Sequence, residues 1–171
     1  CDAQLAALNR ALDAGLRLIQ IREKALPTSA RREFVREAVC RIHAAGALAM
    51  VNGEPALAHE SRADGLHLTA AQLMTCSKRP SFEWVGASCH TCAELEQASA
   101  LELDYVLIGA VKATPTHPEQ APLGWAGFTA LASGLPMPVF ALGGLEYADM
   151  ETARNAGAHG IAAIRGAWDK T

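Results

Sequence analysis

The sequence has little excess of either charge sign: 15 Lys and Arg stand against 18 Asp and Glu, for a formal net charge of -3. That balance gives no electrostatic reason to expect nucleic acid or an anionic membrane as partner. Arg31 and Arg32 form only a short basic pair, with Glu33 and Glu37 close behind, and read as a solvated helix face. No apolar run approaches the ~20 residues of a membrane span, and no charged-then-apolar leader opens the chain, so a soluble, cytoplasmic protein is expected. Disulfide chemistry is not supported either. Cys1, Cys40, Cys76, Cys89 and Cys92 are odd in number and irregular in spacing, which suits a reducing compartment. Cys89 and Cys92 form a C-x-x-C around His90, but no second ligand pair stands at zinc spacing. The pair therefore reads as two small, half-buried residues at a strand-to-helix turn. No polar linker or low-complexity block divides the 171 residues, half of them hydrophobic, and a single domain over residues 1–171 is expected.

What is present is an alternation of two apolar periods. Short continuous runs at Leu16–Ile21, Ala47–Val51, Gly65–Leu68, Trp84–Ala87, Tyr105–Ile108, Pro138–Leu142 and Gly160–Ile164 read as strands covered on both faces. Between them, Ala3–Ala14, Ser29–Ala45, Pro55–Ser61, Cys92–Leu103, Trp125–Ser133 and Tyr147–Ala156 carry helical patterns. Thr91 with Glu94 has capping-box spacing. Ala14-Gly15, Ala45-Gly46 and Ala156-Gly157 place a glycine where a helix must turn left-handed into the next strand. Repeated strand–helix–strand units mean a parallel sheet. The fold class is therefore α/β, a TIM (β/α)8 barrel lacking its first strand in this chain, since a helix precedes the first of seven strands. An open doubly wound sheet is the alternative, though no G-x-G-x-x-G follows an early strand.

In such a barrel, function gathers at the carboxyl ends of the strands. After the first strand, Gln20-Ile21-Arg22-Glu23-Lys24 places two cations one residue apart, suited to a phosphate or to an ordinary charged turn. Asn52-Gly53-Glu54 ends the second. Asp64 can cap a turn, and His67 inside an apolar strand reads as a hydrogen-bonded structural histidine. Ser88-Cys89-His90 follows another strand. A histidine there, titrating near ~6.5 when unperturbed, is compatible with a catalytic or a structural role. The loop from Gly109 to Pro118 combines Lys112, Thr114, Thr116 and His117 with prolines, a composition suited to closing over a polar ligand. Gly143-Gly144 and Ile164-Arg165-Gly166 end the last two strands, the loops where barrels frequently bind phosphate.

In this order the segments QIREK (20–24), VNGE (51–54), ADGLHL (63–68), GASCHT (86–91), TPTHP (114–118), ALGGL (141–145) and AGAHGIAAIRG (156–166) resemble the thiamine phosphate synthase and thiazole tautomerase family of barrels over nearly the whole chain. APLGW at 121–125 and GAHGIAAIRGAW at 157–168 resemble the version fused behind a MutT-type Nudix hydrolase. This resemblance implies such a domain as covalent partner. By the same resemblance, Gln20, Arg22, Lys24 and Asn52 would hold a pyrimidine diphosphate. Ser88 would sit near the reacting centre, Thr114 and Thr116 would line the loop over the substrates, and Gly144 with the Ile164–Arg165 turn would bind a thiazole phosphate. His117, where the family has lysine, and Gly143 join these binding sets from the residue reading, and Arg165 stands where the family has serine.

Two departures bear on the reaction. The synthase pattern has aspartates, both magnesium ligands, where this chain has Gly53 and Gln72. Magnesium would be a cofactor only for the synthase reaction, and hard cations need charged oxygen ligands. The tautomerase branch needs no metal and would use His90 as proton carrier. The expected ligand is a small phosphorylated molecule, thiazole phosphate or thiamine phosphate. The alternative role is a non-catalytic regulatory module of the attached hydrolase.

Overall fold

Alanine–glycine pairs at helix ends punctuate the chain. In the computed structural model, which describes residues 2–114 and 121–163, Gly15, Gly46 and Gly157 have φ of +94°, +66° and +96°. The same two bonds close each turn. The glycine N–H reaches back three residues, and the next N–H reaches five, as in Leu16 to Ala11, Ala47 to Ile42 and Ala158 to Ala153. They satisfy carbonyls that a helix end leaves without partners and deliver the chain to the next strand.

The chain divides into two compact units. The first takes in Cys1–His67 and Pro80–Val85. It holds α1 (Asp2–Asp13), β1 (Leu18–Ile21), α2 (Thr28–Ala44), β2 (Leu48–Asn52), α3 (Pro55–Ser61) and all but the last residue of β3 (Gly65–Leu68). β1 pairs with β2 in parallel, Leu18 opposite Leu48, and β2 with β3, Asn52 opposite His67. Val35, Ala38, Val39 and Ile42 bury one face of α2 at helical spacing. Ile42 is wholly buried, and each such side chain contributes about 1.5–3 kcal/mol.

The second unit takes in Leu68–Arg79 and Gly86–Thr171. It holds α4 (Ala70–Thr75), most of β4 (Trp84–Cys89), α5 (Cys92–Ala100), β5 (Tyr105–Gly109), α6 (Gly124–Ala132), β6 (Val139–Leu142), a 3-10 turn (Tyr147–Asp149), α7 (Met150–Asn155) and β7 (Gly160–Ala162). β4 to β7 pair successively in parallel, with Cys89 opposite Ile108, Gly109 opposite Leu142 and Leu142 opposite Ala162.

Among the described residues seven parallel strands alternate with helices, and within each unit they pair in chain order, without the reversal of a doubly wound sheet. The eighth strand of a closed barrel is not among the described residues. β2, β3 and β5 are buried along their centres, as continuous apolar runs imply, whereas β1 and β6 alternate. In β1 only Ile19 and Ile21 are covered, and Leu16 and Leu18 remain 37% and 41% exposed. α4 was not expected from periodicity, because six residues hold less than two apolar turns. β4 runs two residues further than its apolar run. Among the described residues no helix is long and apolar enough to cross a membrane.

Candidate functional site

In the first unit, β1 delivers Gln20 to an exposed position and the chain leaves the strand through Arg22, Glu23 and Lys24. The Glu23 carboxylate turns back, accepting from Ala25 N–H and from the Gln4 side chain, each at 2.7 Å. The Ala25 bond first, then Gln4, holds its carboxyl below the usual range. With Glu23 engaged, exposed Arg22 and Lys24 pair with no carboxylate among the described residues. Asn52, half-buried, closes β2 opposite His67. Next to it Gly53 has φ +71° and donates its N–H to His67 O at 2.9 Å. His67 itself is wholly buried, and desolvation pushes its imidazole down to about 3, so it is neutral and structural as expected.

In the second unit, β4 carries Ser88, half-buried, and Cys89, fully buried, as its last two residues. Burial, reinforced by the Glu94 charge, raises the Cys89 thiol to about 12. Cys92 is exposed at the first position of α5. The two cysteines therefore differ in environment, contrary to the expected matched pair, because strand pairing carries Cys89 into the core. His90 follows, exposed on the surface, with its Nδ1 2.5 Å from Gly109 O. A carbonyl only accepts, so Nδ1 carries the proton in this contact and a neutral ring keeps its lone pair on Nε2. Thr91 and Glu94 form the expected capping box, and Glu94 Oε2 also accepts from His90 N–H.

Beyond β5 the ladder continues. Val111 N–H reaches Leu142 O at 2.8 Å and Lys112 N–H reaches Gly143 O at 3.0 Å. This close run explains the glycine pair. A Cβ on Gly143 would lie 2.5 Å from Ala110 Cβ, and one on Gly144 2.5 Å from Ala113 O. Glycine is thus demanded by packing as well as by positive φ. Among the described residues the N–H groups of Gly143 and Gly144 donate to no acceptor. Lys112 Nζ bonds Asp149 Oδ1 at 2.7 Å, and Thr114 is half-buried further along the loop. Thr116, His117, Ile164 and Arg165 lie outside the described residues.

The donors available to a hard cation can be judged position by position. Gly53 has no side chain, and neighbouring Glu54 is bound by Arg31 at 3.3 Å. Asp64 stands before β3 and accepts from Ala49 N–H at 2.7 Å and from His43 at 2.9 Å. In the second unit, Gln72 closes a capping box with Thr69, its Oε1 accepting from Thr69 N–H and Oγ1–H. No group of three His, Cys, Asp or Glu among the described residues is placed to hold a metal. Glu94 is an addition to the sequence-derived set. Glu94 was legible only as a cap.

The family model and the curated relatives agree. The model of the family described as Thiamine monophosphate synthase matches residues 1–167. A thiamine-phosphate synthase of Prochlorococcus marinus (strain MIT 9313) is 36% identical over 165 residues, covering 94% of this chain and 46% of its own length. One from Psychrobacter sp. (strain PRwf-1) is 32% identical over 164 residues, covering 90% and 75%. The solved structure of a Pyrococcus furiosus thiamine phosphate pyrophosphorylase shares the fold, with TM-score 0.80 at 24% identity, over 94% of this chain and 79% of that one. The chain spans about half the length of the Prochlorococcus and Thermosynechococcus relatives it matches.

Proposed function

The chain belongs to the thiamine monophosphate synthase family, and we propose that it acts in thiamine biosynthesis by moving a proton on a thiazole carboxylate phosphate, with His90 as carrier. The observation that carries this reading is the contact of His90 Nδ1 with Gly109 O. It leaves Nε2 as the basic nitrogen of an exposed imidazole at a strand end, where catalytic groups of parallel barrels gather. Nε2 removes a proton from one position of the ligand and the imidazolium returns it at another. The ring ends neutral and nothing is consumed.

Ser88, two residues before His90, is assigned beside the reacting atoms, and Thr114, Thr116 and His117 to the covering loop. The thiazole phosphate is assigned to the N–H groups of Gly143 and Gly144 with the Ile164–Arg165 turn. Among the described residues the two glycine N–H groups donate to no other acceptor, which supports this. Gln20, Arg22, Lys24 and Asn52 are assigned to a second phosphorylated group, supported by the charges of Arg22 and Lys24, which pair with no carboxylate among the described residues. Magnesium does not fit the side chains at these two positions: Gly53 has none and Gln72 Oε1 accepts from Thr69, so neither supplies a charged oxygen. The attached MutT-type hydrolase is not supported by the comparisons and forms no part of this reading.

The test is turnover of the purified chain with thiazole carboxylate phosphate, and separately with pyrimidine diphosphate plus thiazole phosphate, each with magnesium and with a chelator. Proton shift insensitive to the chelator is expected, with thiamine phosphate formed slowly or not at all. Brisk magnesium-dependent synthesis without any proton shift would overturn the reading.

A further inference from the structure

The capping box at the start of α5 contains one bond more than a cap requires. Thr91 Oγ1 accepts from Glu94 N–H at 3.3 Å, and Glu94 Oε2 answers with Thr91 N–H at 3.0 Å. Those two bonds complete the motif. The same carboxylate oxygen also accepts from His90 N–H at 2.5 Å, the shortest of the three. His90 lies outside the helix and carries the imidazole already described.

An ionised acceptor shared by two consecutive N–H groups restrains both peptide planes, and charge-assisted bonds are about twice as strong as neutral ones. The direction of the His90 side chain from its backbone is thereby restrained. The ring then meets its second anchor, Gly109 O, on the neighbouring strand, where the register of Cys89 against Ile108 sets the carbonyl's place.

We propose that Glu94 is a positioning residue for His90: by holding the His90 and Thr91 N–H groups it keeps Nδ1–H seated on Gly109 O, so that Nε2 is the nitrogen that exchanges protons. The functional part of this inference rests on the reading of His90 as proton carrier. The structural part does not.

Three variants separate positioning from capping: Glu94→Ala, Glu94→Gln, and Thr91→Ala, which removes the other half of the box. Two readouts are taken, the kcat-against-KM split for the thiazole proton shift and the imidazole nitrogen resonances of His90 in the unliganded chain at alkaline pH. E94A should lower kcat roughly ten- to a hundredfold with KM nearly unchanged, the scale of a small misplacement of a reacting group, and should lose the Nδ1–H signature. E94Q, which keeps a neutral acceptor, should fall between, and T91A should keep both properties of the native chain. Equal losses in T91A and E94A would reduce Glu94 to a helix cap and overturn the proposal, as would an unchanged His90 signature in E94A. A chain without turnover whose His90 signature still answers to Glu94 alone would refute the proton-transfer reading and leave the positioning role standing.

Discussion

Lys112 in the loop after β5 and Asp149 at the end of the 3-10 turn after β6 form an ion pair of 2.7 Å, with the lysine about half exposed and the carboxylate mostly covered. The Asp149 carboxyl is held below its usual range first by the Glu146 N–H and then by Lys112. A depressed carboxyl contributes stability above its unfolded pKa and loses it as pH falls through the folded value. Asp149→Asn should therefore cost about 1 kcal/mol or less at neutral pH, the pair being partly screened. That cost should vanish in strong acid. Urea melts at neutral and acid pH check both statements.

Replacing either glycine of the Gly143–Gly144 turn tests the packing account of that motif. Gly134 has a comparable positive φ, +75°, but open space where a Cβ would stand. Gly134→Ala should cost only the conformational strain, about 1–2 kcal/mol. Gly143→Ala and Gly144→Ala must also displace Ala110 or Ala113 and should cost clearly more. Equal costs in chemical denaturation would show that the close approach is unimportant.

The buried His67 makes stability depend on pH in a defined direction. Its folded pKa is lowered from 6.5 to about 3, so the unfolded chain takes up a proton first as pH falls. The contribution of neutral His67 is complete above pH 6.5 and should decline through the interval down to about 3, by up to ~1.4 kcal/mol per pH unit. His67→Gln should flatten this part of the stability profile, whatever it does to absolute stability.

Thiol labelling distinguishes the cysteines of the C-x-x-C. In the native chain Cys40 and Cys92 should react at mildly alkaline pH, while Cys89, buried and raised to about 12, should react only on unfolding. Rapid modification of Cys89 in the folded chain would contradict its placement in the core.

The strands were legible because parallel strands under helices read as continuous apolar runs, and helix ends were legible because Gly15, Gly46 and Gly157 mark them. The Thr91–Glu94 cap could be read from spacing alone. α4 escaped because six residues show no period, although Thr69 and Gln72 repeat that spacing. The contacts that define the candidate site were harder to see. His90 and Gly109 are 19 residues apart and meet through a backbone carbonyl, which leaves no trace in residue identity. Lys112 and Asp149 are 37 apart, joined only by strand register. Gly143–Gly144 illustrates a different limit: a glycine pair suits close backbone packing, seen here against Ala110 and Ala113, and equally an anion site, and sequence does not separate the two.

In the proposed reaction His90 moves a proton without a metal. The most direct measurement is deuterium exchange from solvent into a thiazole carboxylate phosphate, followed by proton resonance in the presence of a chelator. The native chain should exchange the proton that the shift moves, and His90→Gln should slow this at least roughly a hundredfold, the lower scale of general acid–base catalysis. Exchange at the native rate in His90→Gln, or exchange that stops when the chelator is added, would contradict the account.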